Sequence, residues 1–316
     1  MKYAILLALV LVGCGRGVPE RKRVIVTGAL GLPPLEMPEA GAAEVALGKR
    51  LFFDPKLSAD GRVACASCHD PQHGFADPKP VSEGVGGRRG RRNAPTVLNA
   101  AYWRTQFWDG RAPSLEQQAR GPITNELEMA HEPAKLMAKL KADGEYVQAF
   151  GGREITMEAL VEAIAAYERT LLSGNSAADR YLYGGDKTAL SEEAILGLKV
   201  FRQHCVSCHM IGREHGLFTD HEFHNIGIGV NAVGELTDLG QSKGRFRTPS
   251  LRNVARTAPY MHDGSLKTLR QVVDYYVGGG NSNPHLDARI RPLALSGAER
   301  AGLVAFLESL NGEMPQ

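Results

Sequence analysis

Two copies of one pattern, Cys65-Ala66-Ser67-Cys68-His69 and Cys205-Val206-Ser207-Cys208-His209, constrain this 316-residue chain more tightly than any other feature. In Cys-x-x-Cys-His, the two thiols can add across the vinyl groups of a haem while the adjacent imidazole ligates its iron from one side. Two copies imply two covalently bound c-type haems, one on Cys65, Cys68 and His69, the other on Cys205, Cys208 and His209. Four thiolates could instead build a tetrahedral zinc centre, although zinc requires no His directly after each pair. Only Cys14 is left over, so no pair remains for a structural disulfide.

Net charge +2 and 43% hydrophobic content are those of an ordinary globular protein, long enough for two domains, with no pull toward nucleic acid. At the N-terminus, Lys2 precedes an apolar run from Ala4 to Val12, too short to span a bilayer and typical of a signal peptide. Leu11-Val12-Gly13-Cys14 resembles the bacterial lipoprotein box, which implies cleavage before Cys14 and its lipidation; a plain secretory signal with an incidental Cys is the alternative. Residues 1–14 therefore read as a signal for export to the periplasm, with membrane contact only through a lipid on Cys14. Residues 15–43, rich in Gly, Pro and charge, read as a flexible tether.

The remainder is one unit written twice, residues 44–175 and 176–316. Leu47-Gly48-Lys49-Arg50-Leu51-Phe52 precedes the first haem motif and Leu196-Gly197-Leu198-Lys199-Val200-Phe201 the second, both helical in period. Downstream, Arg92-Asn93-Ala94-Pro95-Thr96 is loosely matched by Arg247-Thr248-Pro249-Ser250. A constant spacing of 154 residues relates Trp108-Asp109-Gly110 to His262-Asp263-Gly264. Ser114 and Thr268 stand where helix N-caps belong.

In that register Tyr276 falls opposite Pro122. A phenolate can ligate iron and proline cannot, so the second haem should be closed by His209 and Tyr276 and the first left open on one side of His69. Tyr275 and Met261 compete for the second ligand position. Adjacent helical residues point about 100° apart, so only one of the two tyrosines can face the iron. Between the haem motifs, Glu132 to Lys141 and Met157 to Leu172 have helical spacing, and Gly297 to Leu310 follows Ser296 with Glu299 three residues on, a capping box. Little argues for strands. The expected fold is all-α, two cytochrome c-like haem domains with the haems near their interface.

The haem motifs, Arg92-Asn93-Ala94-Pro95-Thr96, Phe107-Trp108-Asp109-Gly110-Arg111-Ala112 and Ala258-Pro259-Tyr260-Met261-His262-Asp263-Gly264 together resemble the dihaem bacterial cytochrome c peroxidase and MauG superfamily over about residues 45 to 311. The resemblance implies that Gln118 and Glu128 flank the peroxide site, Glu128 moving a proton between the peroxide oxygens and Gln118 orienting the substrate. It implies that Trp108 relays electrons between the haems, and that Asn93 with the carbonyls of Thr257 and Pro259 holds one calcium ion at the domain junction. Two departures point toward the MauG-like branch. Val85 stands where conventional members carry a displaceable His, and Tyr276 where they carry Met.

The expected activity is reduction of hydrogen peroxide, with electrons from a small c-type cytochrome or cupredoxin. A MauG-like enzyme oxidising side chains of a partner protein, or a non-enzymatic electron-transfer protein, are the alternatives. His73 reads as a surface or propionate-contacting residue, and His224 as a neighbour of the second haem. The run Gly86-Gly87-Arg88-Arg89-Gly90-Arg91-Arg92 is either a docking patch for an acidic donor or a solvated loop from which Arg92 reaches a propionate.

Overall fold

The computed structural model describes residues 21–315; the signal segment and Cys14 lie outside them. Nine helices and two small sheets are present among these residues: β1 (Arg23–Val26), β2 (Leu35–Pro38), α1 (Ala42–Phe53), α2 (Leu115–Thr124), α3 (Pro133–Ala142), α4 (Gly144–Ala149), α5 (Met157–Glu168), α6 (Ala177–Leu182), α7 (Glu192–His204), β3 (Phe223–His224), β4 (Phe246–Arg247), α8 (Leu269–Gly278) and α9 (Gly297–Glu308). The fold is helical, as the periodicity predicts. No described helix is long and apolar enough to cross a membrane.

Apolar side chains gather into two cores. One is built on α1, α2 and α5 around Leu51, Phe52, Leu160 and Ile164; the other on α7, α8 and α9 around Phe201, Phe218 and Phe306. The two units start their helices alike. Ser114 Oγ accepts from Gln117 N at 3.3 Å, and Thr268 Oγ1 from Gln271 N at 3.2 Å, so α2 and α8 begin in the same register. Ser296 and Glu299 cap α9 reciprocally.

The repeated Leu-Gly before each haem motif has a packing cause. A Cβ on Gly48 would run into the Ala163 carbonyl of α5, and one on Gly197 into the Gly302 carbonyl of α9. Each glycine lets the helix that precedes the haem motif lie directly on its partner's backbone, which in the second unit sets where the Cys-x-x-Cys-His turn emerges from α7.

Residues 21–41 are not the free tether the sequence suggests. β1 and β2 pair antiparallel, with Arg23 opposite Pro38 and Val26 opposite Leu35. Beyond the hairpin turn, Leu32 and Leu35 are buried. The Pro33 carbonyl accepts from Tyr102 Oη at 2.9 Å in the first unit, and the Gly31 carbonyl from Gly216 N at 3.0 Å and from Arg252 in the second. Gly31, at φ 85°, lies where a Cβ would strike Asp179, whose carboxylate grips Arg252 at 2.8 and 2.9 Å. Its partners are distant in sequence, so a local reading of Gly and Pro content misses the order.

Replacing Gly197 by Ala forces apart two backbones in contact. Overpacking of this kind costs about 1–3 kcal/mol, so the urea midpoint of Gly197→Ala should fall accordingly; an unchanged midpoint would contradict the close-approach account.

Candidate functional site

Each Cys-x-x-Cys-His stretch is a tight turn; the second follows directly on α7, which ends at His204, and the first lies twelve residues beyond the end of α1 at Phe53. His69 N bonds the Cys65 carbonyl at 2.9 Å, and His209 N the Cys205 carbonyl at 2.9 Å. Behind each imidazole the two units repeat one arrangement. Phe52 and Phe75 flank His69, and Phe201 and Phe218 flank His209. His69 Nδ1 faces the Phe75 carbonyl at 3.3 Å and His209 Nδ1 the Phe218 carbonyl at 2.8 Å. A donated Nδ1–H fixes the tautomer and leaves Nε2 free as a ligand. Burial pushes both imidazoles below the usual histidine range, so each is neutral at pH 7.

Burial raises the thiols, Cys68 to about 11 and Cys205 to about 12, which disfavours free thiolates. The two pairs do not converge into a four-thiol group. Among the described residues the sole three-ligand cluster is Cys208, Asp220 and His224, so the zinc alternative falls. His224 is held by Asp220 at 2.8 Å and Asp287 at 2.9 Å. His73 pairs with Asp70 at 2.9 Å on the surface.

A cavity with mostly apolar walls opens between the units. Cys205, Cys208, His209 and Tyr276 line it from the second unit, Asn93 and Trp108 from the first. Tyr276 faces it from α8, and burial holds its phenol well above the ordinary range. Tyr275 is turned away, donating to the Ile226 carbonyl at 2.8 Å and accepting from Asn281 N at 3.3 Å. Met261, Thr257 and Pro259 line the same cavity as Tyr276. The Asn93 amide donates to the Lys79 carbonyl at 2.9 Å, turning its donor end toward the first unit.

Trp108 sits at the seam. Its indole N–H donates to the Asn93 carbonyl at 2.9 Å, and its own carbonyl accepts from Arg247 N at 2.8 Å.

Arg247 is the residue that sequence reading passed over. Its guanidinium is buried, lies 3.9 Å over the Trp103 ring, and leaves two of its nitrogens without a partner; burial pushes it down to about 10. A buried, unpaired cation on a cavity wall requires an anion. Haem carries propionate carboxylates, so the donor set, the apolar walls and this cation together fit a c-type haem. In the repeat Arg247 stands opposite Asn93: Arg247 N bonds the Trp108 carbonyl as Asn93 N bonds the His262 carbonyl. Arg92 itself does not reach for a propionate: Asp238 and Asp109 occupy its guanidinium. Trp103 packs against the first core and also carries Arg247 on its face.

On the first unit, Gln118 and Pro122 stand one turn apart on α2. The loop after α2 folds back onto it, with Met129 N on the Pro122 carbonyl at 3.1 Å and His131 N on the Ile123 carbonyl at 2.8 Å. This returns Glu128 beside the helix, where Asn125 Nδ2 donates to Oε1 at 2.6 Å. Burial pushes the Glu128 carboxyl up, against the pull of Asn125 and Arg111. Val85 N bonds the Glu128 carbonyl at 2.7 Å, and a Cβ on Gly84 would collide with the same strip of backbone. The loop carrying Val85 therefore packs directly on the Glu128 loop.

Comparison with known proteins agrees with this geometry. Residues 42–188 match the family described as di-haem cytochrome c peroxidase, and residues 194–311 match cytochrome c. The methylamine utilization protein MauG of Methylorubrum extorquens is 42% identical over 288 residues, covering 85% of this chain and 78% of that one. The cytochrome c551 peroxidase of Nitrosomonas europaea is 38% identical over 283 residues, covering 85% and 80%. The crystal structure of a MauG-like protein associated with microbial copper homeostasis superposes with TM-score 0.79 at 30% identity, covering 90% of this chain and 94% of that one. With two haem-attachment turns, two helical cores and relatives of this closeness, the chain belongs to the dihaem cytochrome c peroxidase and MauG family of c-type oxidoreductases.

Proposed function

We propose that this protein reduces hydrogen peroxide at its first haem site, and that the oxidising equivalents are shared through Trp108 with a second site ligated by His209 and Tyr276. The observation that carries the reading is an asymmetry between equivalent helices. α2 and α8 are capped in one register, yet the position that holds Tyr276 in α8 holds Pro122 in α2. A phenol oxygen stands over one haem site, and a side chain without any donor atom over the other.

Bound haem supplies the redox chemistry, the reduction of peroxide to two waters with two protons and two electrons. The residues around it do the rest. Pro122 keeps the distal side free of a ligand, Gln118 orients the peroxide by hydrogen bonding, and Glu128 takes a proton from one peroxide oxygen and returns it to the other. Val85 offers nothing to displace, so no prior reduction is needed to clear the site. Tyr276 is favoured over Met261 for the second site because it faces the cavity from a rigid helix that is register-matched to Pro122.

Asn93, Thr257 and Pro259 supply an all-oxygen set suited to one calcium ion at the junction. The leader sequence supports a periplasmic protein anchored through Cys14. Electrons come from a small c-type cytochrome or cupredoxin. A second reading, oxidation of a partner protein's side chain, is favoured by Val85 and Tyr276 together and by the 42% identity to a protein named MauG.

The diferric protein should show one high-spin and one low-spin haem, and should react with one equivalent of hydrogen peroxide without prior reduction. Tyr276→Phe should lose the low-spin EPR signal, whereas Met261→Leu should keep it; the reverse pattern assigns the ligand to Met261. A reduced small cytochrome that returns the reacted protein to its starting spectrum supports the first reading of the donor, and one that does not supports the second.

Glu128 acts as a base, so peroxide turnover should fall on the acid side with a midpoint above the ordinary glutamate value of 4.5. Asn125→Ala removes a hydrogen bond that favours the carboxylate and should move that limb to higher pH. Glu128→Gln should abolish the limb and lower turnover about 10²–10⁴-fold. An acid limb surviving in Glu128→Gln assigns the proton transfer elsewhere.

Treatment with EGTA should perturb the spectra of both haems, with calcium restoring them, and Asn93→Ala should resemble the chelated protein. Spectra indifferent to EGTA and to Asn93→Ala would remove the ion from the account.

A further inference from the structure

Arg92 and Arg247 have opposite surroundings, although both stand at the seam; the constant spacing of 154 puts Arg247 opposite Asn93 and Arg92 opposite Phe246. Arg247 is left unpaired on the cavity wall, whereas Arg92 is saturated. Its Nε and Nη2 bind Asp238 of the second unit at 2.7 and 2.8 Å, and its Nη1 binds Asp109 of the first at 2.6 Å. All three side chains are largely shielded from solvent, at 23% exposure for Arg92, 14% for Asp109 and 18% for Asp238, so salt screens them less than a surface pair.

Asp109 directly follows Trp108. Arg92 directly precedes Asn93, whose carbonyl holds the Trp108 indole at 2.9 Å and whose N–H donates to the His262 carbonyl at 2.7 Å. His262 is the repeat partner of Trp108. Its ring stacks on Phe246 at 3.6 Å, and the Arg92 guanidinium lies 5.2 Å over that same Phe246 ring. The pseudo-equivalent residues 108 and 262 thus meet on one residue, Asn93, and Arg92, its neighbour in sequence, binds carboxylates of both units.

We propose that Arg92 is a positioning residue for the inter-haem relay: through its bidentate hold on Asp238 and its bond to Asp109, it fixes the Trp108 indole between the two haem sites. This rests on the reading of Trp108 as the relay. Lys cannot reproduce the hold, because a single ammonium lacks the planar fork that grips Asp238 with two nitrogens while reaching Asp109 with a third.

The test uses the full-length diferric holoprotein, following the optical response of the second haem after one equivalent of hydrogen peroxide. Arg92→Gln and Asp238→Asn should leave the starting spectra of both haems unchanged and slow the second haem's response about tenfold or more, as displacement of a reacting group does. Arg92→Lys should be slowed as well. Asp238→Asn leaves the Arg92–Asp109 pair in place and keeps the test open if Arg92→Gln fails to fold. A clamp that is only structural would lower the unfolding midpoint with the second haem's response at the parent rate, and that result overturns the proposal. Trp108→Phe, measured in parallel, separates the two levels. If it leaves the response unchanged, the relay reading fails; if it slows the response while Asp238→Asn and Arg92→Gln do not, only the role of Arg92 fails.

Discussion

Each haem-attachment turn is preceded by a helix pressed against the bare backbone of another, Gly48 of α1 on Ala163 of α5 and Gly197 of α7 on Gly302 of α9. The rest of each unit depends on that contact. In the second unit it sets Cys205, Cys208 and His209 on the cavity, and in each unit Phe52 or Phe201 lies tilted beside the imidazole while the Phe75 or Phe218 carbonyl fixes its tautomer. Interiors are close-packed and transmit displacement, so a shift at the glycine is a shift at the iron ligand.

On this shared frame the units diverge in a few side chains with large chemical effect. Matched helices present Pro122 in one and Tyr276 in the other; at the seam, Arg92 is saturated by carboxylates while Arg247 is left for an anion. The loop after α2, folded back on the carbonyls of Pro122 and Ile123, brings a buried carboxyl to the first unit. Burial raises the Glu128 carboxyl above its ordinary value, against the hydrogen bond from Asn125. The second unit spends its polar groups on holding: His224 between Asp220 and Asp287, and Tyr275 on the Ile226 carbonyl.

The seam between the units is polar where the cores are apolar. Arg92, Asp109, Asp238 and the Asn93 peptide join the units by directional bonds, and the β1–β2 arm adds a second tie through Gly31 and Pro33. Directional bonds define a distance and an orientation more sharply than apolar contact does.

The sequence by itself determined the haem attachment, the two-fold repeat, the helical class, the N-caps at Ser114, Thr268 and Ser296 and the register that sets Pro122 against Tyr276. All are local signals or signals of fixed period, readable without knowing what touches what. Tertiary structure alone decided between Tyr275 and Tyr276 as the side chain facing the cavity, because that depends on how α8 is rotated against its core. It ordered the Gly- and Pro-rich arm through partners in both units. It also assigned the two arginines at the seam: Asp238 lies 146 residues from Arg92, and no local pattern announces that pair. The bare guanidinium of Arg247 was invisible for the same reason, since a charge is known to be unpaired only when everything around it is known.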